Sequence, residues 1–203
     1  SMARDEHCQM VRAWGAGMPE TDDFYDLCDR YGLMVMQEWP TAWCSHETQP
    51  RAVLEETVRL NTRRIRNHPS LVMWGAGNES GHPYGRAIDR MGRTSLELDG
   101  TRPFHRGEPW GGSEHMYPTY WGRRHPDAHL TAEAPFWGEF GLASQPVVES
   151  VRRYLPREEQ DAWPKIAEDG AFAYHLPVFN LKGGLSRQLQ FARYFAPADA
   201  DLE

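Results

Sequence analysis

Apolar positions along this chain follow two spacings in turn. Gln9 to Trp14 ("QMVRAW"), Leu33 to Trp39 ("LMVMQEW") and Leu71 to Trp74 are short apolar runs, each closed directly by Gly or Pro, and each predicts a β-strand. The second is nearly continuous in apolar residues, the pattern of a strand buried on both faces. Between them the spacing lengthens. "ETDDFYDLCDRYG" predicts a helix with acidic first turns and Gly32 as its stop, and Gln49 to Asn67 predicts another, with Leu54, Val58 and Ile65 on one face.

Strand, helix, strand, helix, strand implies parallel strands joined by helical crossovers. The pattern continues with a helix over Tyr84 to Leu98 and strands at Arg102 to His105, Met116 to Trp121 and Pro135 to Phe140. Helices are predicted at Val147 to Leu155, over "LPREEQDAW", and at Leu185 to Phe195. Six strands without a nucleotide-binding glycine loop favour an α/β fold of the (β/α)8 TIM-barrel type, lacking its first strand, over a doubly wound sheet. All 203 residues are assigned to one partial barrel domain, with Ser1-Met2 read as a cloning scar and residues 197–203 as a frayed tail.

Composition narrows the function classes. The net charge of -7, with scattered basic residues, argues against a nucleic-acid surface and against a polybasic membrane patch. No apolar run approaches the ~20 residues of a membrane span. Cys8, Cys28 and Cys44 are odd in number and contain no C-x-x-C pair, so they write neither a disulfide framework nor a zinc knuckle.

"WGAG" occurs twice, at Trp14 to Gly17 and at Trp74 to Gly77, with flanks that do not align. What recurs is therefore a position, the carboxyl end of a parallel strand, rather than a repeated unit. Trp-Gly occurs five times in all, mostly at such ends, where barrel enzymes build their sites. An indole offers a broad apolar face for a sugar ring and one N–H donor. Glu79 in "GAGNE" and Glu139 in "FWGEFG" follow two of these stretches. Two carboxylates about 5–5.5 Å apart serve retaining glycosidases as nucleophile and proton donor. Glu79-x-x-His82 has the spacing of a di-iron ligand pair, but it lacks a second copy and Pro83 suits a loop, so no metal site is assigned.

"VRAWGAG", "FYDLCDRYGLMVMQEW", "RNHPSLVMWGAGNES" and "FWGEFGLASQP" together resemble the catalytic barrel of family 2 glycoside hydrolases, over roughly residues 3 to 146. The resemblance implies Glu79 as acid/base and Glu139 as nucleophile. It implies Asn78 as the partner of the sugar 2-hydroxyl, Arg12 beside the nucleophile and Trp14 lining the sugar pocket. A tyrosine that hydrogen-bonds to the nucleophile is offered by Tyr117 or by Tyr120, the latter paired with Trp121 as in the mannosidase branch. "VRAWGAG" and "EFGLASQP" look most like β-mannosidases, whereas "GNESGH" is closer to β-galactosidases. Gln37-Glu38 stands where mannosidases often carry Gln-Asp.

The expectation is thus a retaining, exo-acting β-glycosidase, with β-mannosides first and β-galactosides or β-glucuronides after them. The alternative is a catalytically incompetent fragment or sugar-binding remnant of such an enzyme. The resemblance further implies β-sandwich domains and a first barrel strand not contained in this sequence, hence exposed barrel edges open to self-association. The partner is a carbohydrate, with no nucleic acid or membrane and no cofactor.

Overall fold

The computed structural model describes residues 2–81, 84–120, 124–141, 146–163 and 169–175, excepting the Tyr120 side chain. The chain divides into two compact units, Ser1–His115 with Ala134–Gly138, and Met116–Glu133 with Glu139–Glu203.

In the first unit, β1 (Met10–Ala13), β2 (Met34–Glu38), β3 (Leu71–Gly75) and β4 (Phe104–His105) lie side by side in that order, all parallel. Helix α1 (Met2–Asp5) precedes β1, and α2 (Asp22–Tyr31), α3 (Arg51–Ile65) and α4 (Arg86–Leu98) make the crossovers. This is the alternation that the hydrophobic pattern predicts. Helix α2 stops at Gly32, whose left-handed backbone (φ 70°) lets its N–H close onto the Cys28 carbonyl. In α3 the buried positions are Leu54, Val58, Thr62 and Ile65. Four consecutive residues of β2, Val35 to Glu38, are buried, as a strand covered on both faces requires.

The core gathers Tyr25, Val35, Trp39, Leu54, Val58, Ile65, Leu71, Trp74 and Ile88. Trp39 and Trp74 stack with centroids 5.1 Å apart, and each indole N–H is satisfied: Trp39 donates to Ser95 Oγ (3.0 Å) and Trp74 to Asp99 Oδ2 (2.9 Å). An unpartnered buried N–H would cost about 1–3 kcal/mol, which explains why Asp99 and Ser95 accompany these rings inward. The second "WGAG" tryptophan therefore anchors the core and does not line a rim.

The "RNHPS" turn has a structural reason of its own. Asp29 on α2 accepts the Ser70 N–H (2.8 Å) and pairs with His68 Nδ1 (2.7 Å), so it ties the start of β3 to α2. Burial pushes the Asp29 carboxyl up, but the bonds from Ser70 and His68 outweigh it and hold the group below its ordinary range. Arg102 donates to the carbonyls of Arg66 and His68 across the same turn.

Beyond β4 the expectation needs correction. The strand predicted at Met116 to Trp121 is instead β5 (Ser113–His115) followed by a helical turn, α5 (Tyr117–Tyr120), while Trp121 lies outside the described residues. Pro118 sits in the first turn of α5, where its missing N–H has no helical partner to forgo, and Thr119 bonds back to the Met116 carbonyl. The strand itself hides in "SEH", where Ser113 and His115 are the buried positions. It pairs with β6 (Phe136–Glu139) in a separate two-stranded sheet, so the six strands among the described residues do not form one sheet.

The second unit packs α6 (Val148–Tyr154), α7 (Arg157–Ala162) and α8 (Ala171–Tyr174) around Val151, Leu155 and Phe172. Glu159 of α7 caps α8 by accepting the N–H groups of Ala171 (2.6 Å) and Phe172 (3.0 Å). The helix predicted at Leu185 to Phe195 lies outside the described residues. Among the described residues no helix is long and apolar enough to cross a membrane.

Candidate active site

Four loops leave the carboxyl ends of β1, β2, β3 and β4 and interlock. Thr41, after β2, donates its hydroxyl to the Ala76 carbonyl (2.6 Å) and accepts the Asn78 N–H at its own carbonyl (3.0 Å). Trp43 N–H donates to the Asn78 carbonyl (3.0 Å), and Glu108 N–H donates to the Gly77 carbonyl (3.0 Å). Ala42, Asn78 and Glu108 thereby prolong the parallel pairing past the strands themselves. Such close passage needs glycine. A Cβ on Gly15 would lie 2.7 Å from the Thr41 carbonyl oxygen and 2.8 Å from Gly77 Cα. The two "WGAG" copies meet at these glycines, one strand apart.

Arg12, near the end of β1, is the centre of the first cluster. It donates to both oxygens of Glu38 (Nε to Oε1 2.8 Å, NH2 to Oε2 3.1 Å), to Asn78 Oδ1 (2.7 Å) and to the Gly138 carbonyl (3.2 Å). Glu38 is fully buried and also accepts the Gly15 N–H (2.7 Å). Burial pushes the Glu38 carboxyl above its ordinary value, against the pull of Arg12 and of the Gly15 amide. The planar guanidinium fork suits this two-oxygen contact in a way an ammonium would not. The structure brings Arg12 and Asn78 together, and between Arg12 and the Gly15 loop stands the buried carboxylate of Glu38, which the resemblance marked only as a departure from Gln-Asp. The signal was present: Gln37-Glu38 ends a strand whose other residues read as core.

Glu79 forms the second cluster. Its backbone is left-handed (φ 45°), and this turns its side chain out of the line of β3. Trp43 Nε1 donates to Glu79 Oε2 (2.7 Å), and His115 Nδ1 stands 3.4 Å from Oε1. His115 is buried, with Nε2 3.8 Å from Glu108 Oε2. Glu108, fully buried, accepts the Ser113 hydroxyl and faces His105 Nε2 at 3.1 Å. Burial works to raise the Glu108 carboxyl, yet the bonds from His105 and Ser113 and the charges of His105 and Arg12 hold it below its ordinary range. Glu79 itself stays a quarter exposed. An oriented carboxylate with solvent access, a flanking indole N–H and an imidazole nitrogen nearby is suited to giving and taking a proton. None of Trp43, His105, Glu108, Ser113 and His115 stood out in the sequence: Trp43 and Glu108 lie in loops, which carry no periodicity, and His105, Ser113 and His115 are polar residues of the short strands β4 and β5.

Trp14 is 45% exposed and meets the 54% exposed Trp43 edge to face, with centroids 5.8 Å apart. Glu139 ends β6 in the second unit, half-buried, and its carbonyl accepts the Met116 N–H (2.9 Å). Tyr117 opens α5 in that unit, half-buried, whereas the Tyr120 side chain, Trp121 and His82 lie outside the described residues. Asp26, Asp29 and His68 have the composition of a cation site, but both Asp29 oxygens already bind Ser70 and His68.

Residues 11–115 match the glycosyl hydrolases family 2, TIM barrel domain. A β-mannosidase B of Thermothelomyces thermophilus is 29% identical over 198 residues, covering 77% of this chain and 23% of that protein. A β-mannosidase of Mus musculus is 37% identical over 78 residues, 37% of this chain and 9% of the relative. The crystal structure of a β-D-mannosidase from Dictyoglomus thermophilum shares the fold, with TM-score 0.81 and 23% identity across 98% of this chain and 27% of that one. The chain thus spans about a quarter or less of the length of these relatives.

Proposed function

The chain belongs to family 2 of the glycosyl hydrolases, through that family's TIM barrel domain, and we propose from this premise that it hydrolyses β-linked sugars by double displacement, β-mannosides first. In this reading Glu139 attacks the anomeric carbon while Glu79 gives its proton to the glycosidic oxygen. The C1–O bond breaks as a C1–carboxylate bond forms, and the leaving group departs as an alcohol. Water then attacks the glycosyl ester, Glu79 takes the water's proton, and the Glu139 carboxylate is released. Asn78, whose amide oxygen accepts from Arg12, binds the 2-hydroxyl through its N–H groups. Arg12 and a tyrosine, Tyr117 or Tyr120, orient the nucleophile, and Trp14 lines the sugar pocket.

The observation that carries the reading is the setting of Glu79, a carboxylate at the end of a parallel barrel strand, held by an indole N–H and beside a buried histidine. A further support is the Arg12 bond to the Gly138 carbonyl, which brings the guanidinium to the residue before Glu139. The preference for β-mannosides rests on the mannosidases among the relatives and on "VRAWGAG" and "EFGLASQP".

Proton NMR of 4-nitrophenyl β-glycoside hydrolysis tests this directly. The β-anomer of the free sugar is expected to accumulate first, with the mannoside cleaved faster than the galactoside, glucoside or glucuronide. First appearance of the α-anomer would contradict double displacement, and faster cleavage of another sugar would overturn the mannoside preference.

A further inference from the structure

We infer that Trp43 forms the binding surface for the departing group, and that this group presents a flat apolar face, as a sugar ring or an aryl ring does. The inference rests on the reading of Glu79 as proton donor. A donor must come within hydrogen-bond reach of the atom it protonates, so the glycosidic oxygen sits beside the Glu79 carboxyl. Trp43 Nε1 is 2.7 Å from the other oxygen of that carboxyl. A ring attached to the glycosidic oxygen is therefore within reach of the indole.

The loop is built to hold the indole there. Trp43 and Cys44 both carry left-handed backbone (φ 49° and 64°), a conformation that costs non-glycine residues roughly 1–2 kcal/mol each. Four bonds maintain it. Trp43 N–H donates to the Asn78 carbonyl (3.0 Å), and Ser45 N–H to the Ala42 carbonyl (2.9 Å). Ser45 Oγ accepts the Ala42 N–H (3.0 Å), and Cys44 Sγ lies 2.9 Å from the Ser80 carbonyl. All this backbone ordering leaves the indole 54% exposed, so core packing is not what it serves. Edge-to-face contact with Trp14 fixes the ring plane and makes a step of two half-exposed indoles beside one carboxylate. Aromatic faces of this kind hold sugar C–H faces and aryl rings through offset or perpendicular contact.

The test separates ring contact from proton donation by using two substrates that need little acid assistance. One is the 2,4-dinitrophenyl β-mannoside, whose leaving group is a ring, and the other is β-mannosyl fluoride, whose leaving group has no face. Trp43→Ala is expected to lower kcat/KM for the dinitrophenyl substrate about 10-fold, in line with an aromatic contact, and to lower that for the fluoride several-fold less. Trp43→Phe, which keeps a ring but no N–H, should retain most of the dinitrophenyl activity. Equal losses on both substrates, or no loss on either, would overturn the inference. Failure of the unsubstituted protein on both would contradict the glycosidase reading and this inference with it, an outcome distinct from the other two.

Discussion

Glu79→Gln is expected to slow hydrolysis of β-mannosides with poor leaving groups by about 10²–10⁴-fold, the range that general acid–base catalysis contributes. The loss should depend on the leaving group. A dinitrophenolate departs without a proton, so kcat/KM for that substrate should change only slightly, while kcat falls because the glycosyl ester waits for water that nothing deprotonates. Azide needs no base, and its addition should restore turnover with the β-glycosyl azide as product. The amide keeps the shape of the carboxyl and an acceptor oxygen for the Trp43 N–H, so the fold is not at issue. An equal loss on every leaving group, with no rescue by azide, would remove Glu79 from the acid/base role.

The second large effect concerns stability. Gly77→Ala would place a Cβ 2.0 Å from Thr41 Oγ1 and 2.3 Å from the Thr41 carbonyl oxygen, at a backbone angle (φ 147°) that L-residues rarely adopt. Overpacking and conformational strain each destabilise by roughly 1–3 kcal/mol, so the sum should be about 3 kcal/mol or more. For a chain of this size that corresponds to a fall in Tm of about 10 °C. Gly17 occupies the same place in the other "WGAG", yet the nearest atom to its added Cβ is 3.5 Å away, and Gly17→Ala should move Tm by little. Thermal unfolding of the two variants side by side checks the contrast. Similar Tm values for both would contradict the interlocking of the loops after β1, β2 and β3.

That pair of glycines also shows how far the sequence could be read. The motif repeats in letters but not in role. Trp14 stays half exposed at the rim, while Trp74 is fully buried against Trp39, with Asp99 accepting its N–H. Nothing local distinguishes them, because burial is decided by what α4 and β2 bring from elsewhere in the chain. The strands β1, β2 and β3 and the helices α2, α3 and α4 were legible because apolar spacing follows directly from which face meets the core. β5 was not legible, since its buried positions are Ser113 and His115, polar residues drawn inward to serve Glu108 and Glu79. Glu79 stood out by its place at a strand's end, whereas Arg12 and Asn78 were named only through the family resemblance. Glu38 and Trp43, which hold them, carried no assigned role in the sequence, for opposite reasons. Glu38 hides in an apolar run, its charge answered by an arginine 26 residues away. Trp43 hides in a loop, where position depends on hydrogen bonds to Asn78 and Glu79 that no spacing rule records.

The measurement closest to the central claim is intact mass after incubation with 2-deoxy-2-fluoro-β-mannosyl fluoride, followed by mapping of the labelled peptide. The fluorine slows both displacement steps, the fluoride leaving group restores the first, and the glycosyl ester accumulates. A retaining enzyme with Glu139 as nucleophile should gain the mass of one fluorosugar, carried by the peptide that contains "FWGEFG". A label on any other residue, Glu79 included, would contradict the assignment of the two carboxylates.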